Sequence, residues 1–412
     1  MGGQQFAADS WLMDMRGMNR VLEFDRDRGL IKAEAGIAWP ELIRHYVIAQ
    51  NGDPRPWGIR QKQTGADRLT LGGAVSANVH GRGLTMPPFV QDIESLDVVL
   101  ADGRVVQCSR DSEPALFRHI VGGYGLFGVV CAVTLRLSPR QKVQRVVELG
   151  GIDDIVDRFD ERIAAGYLYG DFQFATAPDD PDFLRRGVFS CYRPVESDTP
   201  MLENQIRLSP TDWRRLLLLA HKDKRRAFEE FADFYSRSSG QIYWSDTHQL
   251  SLYLDDYHGE LDCAMGAKVP GSELIAELYV PRNRLSAFMT DVRKDFLNYD
   301  IDLIYGTVRL IERDNDTVLA WARERFACVI FNLHVDHCDA GIRNAEAAFR
   351  RLIDVAIGHD GSYFLTYHRY ASREQVLQCY PQFPAFLRSK LGFDSAEVLQ
   401  SDWYRHYRRM FA

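Results

Sequence analysis

Thr70-Leu71-Gly72-Gly73-Ala74-Val75-Ser76-Ala77-Asn78-Val79-His80-Gly81 is a run of small residues without the composition of a flexible linker. Gly72, Gly73, Ala74, Ser76 and Ala77 leave the backbone bare, so a flat ring or a phosphate can approach main-chain N–H groups. A second cluster follows at Gly122-Gly123-Tyr124-Gly125-Leu126-Phe127-Gly128. Between the two, residues 96–106 read as a hairpin turning at Asp102-Gly103, because that dipeptide accepts the positive φ angles of a tight turn.

Working outward, Val21–Phe24 and Leu30–Ala35 read as strands around the turn at residues 25–29. Trp39-Pro40-Glu41-Leu42-Ile43 starts a helix, with proline early, where its missing N–H costs nothing. Ala115–Val121 reads as a helix and Val129–Leu137 as a strand ending at Ser138-Pro139. Beyond residue 141 strand-like pieces (Asp171–Thr176, Leu274–Val280, Ile304–Ile311, Cys328–Val335) mix with helical ones (Ile152–Ala165, Asp223–Ser236, Ser286–Phe296, Ala345–Ile357). Ser372-Arg373-Glu374-Gln375 is a helix start.

The two glycine clusters with their hairpin resemble the FAD domain of the vanillyl-alcohol oxidase (PCMH-type) flavoproteins, most of all the branch of alditol, sugar-lactone and decaprenylphosphoryl-ribose oxidases. The likeness covers the first third of the chain well. It implies an α+β protein with an FAD-binding domain over residues 1–141. A substrate domain, an antiparallel sheet flanked by helices, would span 142–362, and a segment, 363–412, would return to the FAD domain. The cofactor it implies is FAD, contacted by Gly3, Gly65, Thr70, Leu71, Gly72, Gly73, Ser76, Ala77, Asn78, His80, Gly81, Gly125, Gly128 and Val130.

Relatives of this type open with several dozen further residues, carrying most of the pyrophosphate loop and often a histidine that bonds the flavin. Met1-Gly2-Gly3-Gln4-Gln5 reads as the last part of that loop. The expectation is therefore an FAD domain incomplete at its N-terminus. A misplaced start or fragment is one explanation, and a shortened protein with weakened FAD binding is the other.

Gly123-x-Gly125-x-x-Gly128 also fits the dinucleotide pattern GxGxxG, but in reversed context. It precedes the strand Val129–Leu137 instead of opening a helix, so no helix N-terminus receives a pyrophosphate. A nicotinamide fold is not expected.

Composition narrows the rest. With 46% hydrophobic and 26% charged residues, 412 residues suffice for two domains with a substantial core. A net charge of −7 argues against nucleic acid as a partner. The leucine run 216–219 is too short to span a membrane, so no transmembrane segment is expected. Seven cysteines, an odd number without CxxC spacing, argue against a disulfide framework or a zinc site. The expected compartment is the cytoplasm, and no metal is expected.

Strand alternation places the chemistry. In 328–336 one face shows Val329, Phe331, Leu333 and Val335, the other Asn332, His334 and Asp336. Glu277 and Tyr279 share a face of their strand, as do Thr307 and Arg309 of theirs. If these strands pair, Glu277, Tyr279, Arg309, Asn332 and His334 form one polar floor for a hydroxylated small molecule. The resemblance supports Arg309 and His334 as pocket residues. It also places Tyr367, beside His368, where relatives carry a lysine, and Thr307 where they carry an acid. The candidate catalytic set is Arg309, His334, Asn332, Glu277, Tyr367 and His368. Arg309 with Glu277 also reads as an ordinary ion pair, and His334 as a hydrogen-bonded strand end.

The implied activity is oxidation of a CH–OH group of a sugar, polyol, lactone or hydroxy acid by hydride transfer to flavin N5. The electrons then pass to an acceptor of unassigned identity. The alternative is a non-catalytic remnant that binds FAD weakly or not at all.

Overall fold

The computed structural model describes residues 6–252 and 254–412. Val21–Asp25 (β1) and Leu30–Glu34 (β2) form the expected hairpin, with Gly29 at φ 65° in its turn. Trp57–Gly58 (β3), Ile93–Val99 (β4), Val105–Ser109 (β5), Val129–Arg136 (β6) and Ser138–Pro139 (β7) follow. Five of these strands make one antiparallel sheet in the order β1-β2-β6-β4-β5, and β3 pairs with β7.

Helix α1 (Trp39–Ala49) buries Trp39, Leu42, Ile43 and Tyr46, the i, i+3, i+4, i+7 stripe of an amphipathic helix. Helix α2 (Leu71–Ala77) lies inside the glycine-rich run. Each glycine disfavours a helix interior by about 1 kcal/mol, and two stand here. Capping and packing override that preference. Thr70 Oγ1 accepts the Gly73 N–H, and the Leu71 and Gly72 N–H groups donate to Ile37 and Ala35 carbonyls at 2.9 and 2.7 Å. Leu71, Ala74, Val75 and Ala77 face the core, and Asn78 at φ 46° ends the helix. Helix α3 (Pro114–Ile120) then leads into the second glycine cluster.

The larger sheet contains Lys142–Gly151 (β8), Tyr169–Phe174 (β9), Arg186–Pro194 (β10), Ile242–Trp244 (β11), Gly271–Pro281 (β12), Leu303–Ile311 (β13), Phe326–Asp336 (β14) and Ser362–Tyr363 (β15). Its order is β11-β8-β10-β9-β13-β14-β12-β15, with every neighbouring pair antiparallel. Strands β8 and β10 are absent from the sequence reading. Residues 187–192 of β10 are buried without interruption, so they show no period of two.

Around this sheet lie α4 (Ile155–Ala164), α5 (Pro210–Lys222), α6 (Lys224–Arg237), α7 (Tyr257–Met265), α8 (Leu285–Asn298) and α9 (Asp339–Gly358). Phe288, Val292 and Phe296 of α8 are buried, as are Phe349, Leu352 and Ile353 of α9. Phe296 packs edge-on against Phe331, so α8 lies over the apolar face of β14. The opposite face keeps the polar residues.

The chain ends in α10 (Arg373–Cys379), α11 (Phe383–Phe393) and α12 (Asp402–Phe411). Ser372 and Gln375 form a reciprocal cap at the start of α10. Trp403 stacks on Tyr124 with ring centroids 4.4 Å apart, and Phe386 meets Phe127 at 5.1 Å. These helices therefore pack onto the second glycine cluster. The seven cysteines are free thiols, and among the described residues no helix is long and apolar enough to cross a membrane.

Candidate active site

The two glycine clusters meet. Gly122 N–H donates to Val75 O at 2.9 Å and Tyr124 N–H to Ser76 O at 3.0 Å, which fixes the second cluster against α2. On α2 the partly exposed positions are Gly72, Gly73 and Ser76, three and four residues apart and hence on one face. That face carries almost no side chain. Gly65 at φ 79° and Gly125 at φ 74° are left-handed, and a Cβ added at either would meet nothing within 4 Å among the described residues. Next to Gly65, Gln63 Oε1 and Thr64 Oγ1 are buried with no hydrogen-bond partner among the described residues.

A bare helical face beside unpartnered polar atoms fits a flat, polar-edged cofactor. Among the positions proposed to touch it, Leu71, Ala77 and Val130 are buried and Gly128 fills a tight corner against Val98. Thr70 is the helix cap. Asn78 is used structurally: it donates to Asp314 at 2.9 Å and accepts from Val90 N–H at 2.9 Å. Gly3 lies outside the described residues.

The run ends at His80 and Gly81, against the large sheet. Gly81 sits where a Cβ would meet Lys62 O at 2.9 Å. His80 is 1% exposed, with Nδ1 3.0 Å from Gly81 O and Nε2 2.8 Å from Glu277 Oε1. Glu277, also 1% exposed, accepts hydrogen bonds from the Tyr279 hydroxyl and, at 3.3 Å, from the Tyr367 hydroxyl. Burial alone would raise the Glu277 carboxyl pKa. The charge and hydrogen bond of His80, the Tyr279 hydroxyl and Arg309 outweigh it and hold the pKa below the usual range. Tyr367 is pushed well above the usual phenol range by burial and by the Glu277 charge, so it remains a donor.

Directly paired residues share a sheet face. The register sets Glu277 opposite Ile330, Tyr279 opposite Cys328, Arg309 opposite Cys328, Thr307 opposite Ile330 and Thr307 opposite Gln173. Asp171, two residues before Gln173, lies opposite Ser190. One face therefore carries Glu277, Tyr279, Arg309, Thr307, Gln173, Asp171 and Ser190 across four strands. Arg309 Nε and Nη1, Thr307 Oγ1, Gln173 Oε1, Asp171 Oδ1 and Ser190 Oγ are all buried without a hydrogen-bond partner among the described residues. The sequence reading omits Gln173, Asp171 and Ser190. In β9 every residue is buried, so polarity rather than burial was the available signal there.

Asn332 and His334 lie on this same face, opposite Ile275 and Glu273. Sharing a face is not sharing a site: His334 is six positions along β14 from Cys328, about 20 Å at strand rise. It stands near Glu273 and His221 instead. His368 stacks on Tyr370 beside Phe349, and burial lowers its pKa to about 4. Of the six candidate catalytic residues, the fold gathers Arg309, Glu277 and Tyr367.

Residues 1–109 match the family model described as FAD binding domain. Cytokinin dehydrogenase 6 of Oryza sativa subsp. japonica is 29% identical over 175 residues, 39% of this chain and 31% of its own length. L-gulonolactone oxidase of Mus musculus is 26% identical over 160 residues, 38% of this chain and 34% of its own. Mitochondrial L-galactono-1,4-lactone dehydrogenase of Brassica oleracea is 26% identical over 149 residues, 35% of this chain and 23% of its own. The matched region is thus about a third or less of each relative. Residues 1–109 thus carry an FAD-binding domain, similar to the matched parts of these relatives, and FAD is its cofactor.

Proposed function

From this domain we propose an FAD-dependent oxidoreductase that oxidises a CH–OH group of a sugar lactone or polyol. The observation that supports this most is the set of orphaned polar atoms on the large-sheet face, beside the end of the glycine run. Each unsatisfied buried polar group costs about 1–3 kcal/mol. A substrate with several hydroxyls would satisfy many at once. Two of the relatives carry names of sugar-lactone enzymes, which favours the same donor class.

Bound FAD supplies a hydride acceptor. The stripe of Gly72, Gly73 and Ser76, with Gly65 and Gly125, would hold it. Arg309 Nε and Nη1 would donate to the carbinol oxygen and stabilise negative charge as it develops there. The hydroxyl proton would pass to the Tyr367 oxygen as Tyr367 gives its own proton to Glu277 Oε2. Glu277, held ionised by His80, is the acceptor of that relay. Thr307, Gln173, Asp171 and Ser190 would hold the remaining hydroxyls.

The test is to titrate the chain with FAD, record the visible spectrum, and mix the complex anaerobically with a panel of aldonolactones and polyols. Bleaching of the yellow band by one class supports the reading. A folded protein that stays colourless with excess FAD would instead support the non-catalytic remnant.

A further inference from the structure

We propose that His221, Glu273 and His334 form a binding site for a divalent transition ion of the Zn²⁺ type, at the opposite end of the large sheet from Arg309. Three separate elements supply these residues. His221 is in the last turn of α5, Glu273 is near the start of β12, and His334 is near the end of β14, directly opposite Glu273 in the register. The nearest atoms of all three lie within 4.8 Å of one another. His221 Nε2 is 3.1 Å and His334 Nδ1 3.8 Å from the same oxygen, Glu273 Oε1. Ligands about 2.1 Å from a tetrahedral ion stand about 3.4 Å apart, and the observed separations bracket that value.

His221 Nε2, Glu273 Oε1 and His334 Nδ1 are buried atoms that face one another and, among the described residues, have no hydrogen-bond partner outside this trio. The side chains of His221 and Glu273 are only 3% and 8% exposed. The other carboxylate oxygen is fully engaged: Glu273 Oε2 accepts from the Tyr257 hydroxyl at 2.6 Å and faces His258 Nε2 at 2.7 Å. Those two contacts orient the carboxylate and leave Oε1 toward the histidines, as outer-shell partners of metal ligands do. Gly271 makes room for the His334 ring, since a Cβ there would stand 2.4 Å from its Cε1.

His80, Glu277 and Cys328 also converge, but His80 meets Gly81 O through one nitrogen and Glu277 through the other. At His221, Glu273 and His334 the converging atoms face only one another. Two imidazole nitrogens and one carboxylate oxygen suit zinc or a neighbouring first-row ion, with a fourth position left for water. His221 also borders a surface cavity of about 310 Å³ lined by Asp179, Lys224 and Arg225, which gives the ion a route in. Bound there, the ion would tie α5 to β12 and β14.

The experiment uses the full chain, stripped with a chelator and then titrated with Zn²⁺ and, separately, Co²⁺. Expected are one ion per chain, a higher melting temperature with Zn²⁺, and the visible absorption of four-coordinate Co²⁺. His221→Gln and His334→Ala should each weaken binding by more than the roughly 10- to 100-fold that loss of an outer-shell partner costs, while melting near the stripped wild type. Glu273→Gln is the third variant, should either histidine variant fail to fold. A wild-type chain that takes up neither ion stoichiometrically overturns the proposal. So does undiminished binding in every variant that folds. None of these readouts requires FAD or turnover.

Discussion

His80 Nε2 and Glu277 Oε1 lie 2.8 Å apart, join positions 197 residues apart in sequence, and are both shut off from solvent. This contact fastens the end of the glycine-rich run to the polar face of the large sheet. It also sets the charge of Glu277, and with it the behaviour of the residues around Arg309.

Glu277 gives a pH prediction. Its folded pKa is depressed below the ordinary value of 4.5, so it binds its proton less readily folded than unfolded. Its contribution to stability is therefore present above pH 4.5 and is lost as pH falls through the folded value. Glu277→Gln should lower stability at pH 7 by about 3–5 kcal/mol, because it strips one partner from a buried pair. The variant should also show a shallower loss on acidification. Urea unfolding of both proteins from pH 7 to pH 3 measures the two slopes, and parallel slopes would contradict the assignment.

Arg309→Ala should leave the flavin spectrum intact and slow flavin reduction by about 100- to 1,000-fold, the usual cost of removing a charge-stabilising donor. Anaerobic stopped-flow with the substrate found by screening is the measurement. An unchanged reduction rate would move the reacting centre away from β13.

Ser76→Phe tests the cofactor face. The position is partly exposed on α2, so the ring should enter the open side without disturbing Leu71, Ala74 or Val75. Overpacking of about 1–3 kcal/mol corresponds to about a 5- to 150-fold loss of FAD affinity. Titration followed by flavin fluorescence, with melting as the folding control, gives the answer. Wild-type affinity would mean that the cofactor lies elsewhere.

Trp403→Ala tests the role of the last helix. Trp403 is 1% exposed, stacks on Tyr124, and donates from Nε1 to Leu365 O at 3.2 Å. Its loss should cost about 3–5 kcal/mol. Because Tyr124 belongs to the second glycine cluster, FAD affinity should fall as well. Chemical denaturation and FAD titration of the same variant separate the two effects.

By itself the sequence determined the local elements and the chemistry they carry. The hairpin at Asp102-Gly103, the Ser372 cap and the alternation in β12, β13 and β14 are written in adjacent residues, since turn dihedrals and the period of a strand are local properties. The same alternation correctly put Glu277, Arg309 and His334 on one sheet face. Tertiary structure decided how far apart they stand. Alternation tells which side a residue takes, but register alone tells which residues meet. It separated His334 from Arg309 by most of a strand and placed it near His221, a residue on a helix with no local mark of function. Glycines disfavour a helix at α2 locally, yet hydrogen bonds to Ile37 and Ala35 and burial of Leu71 and Val75 stabilise one. These determinants lie outside the glycine run, so only the packed fold reveals them.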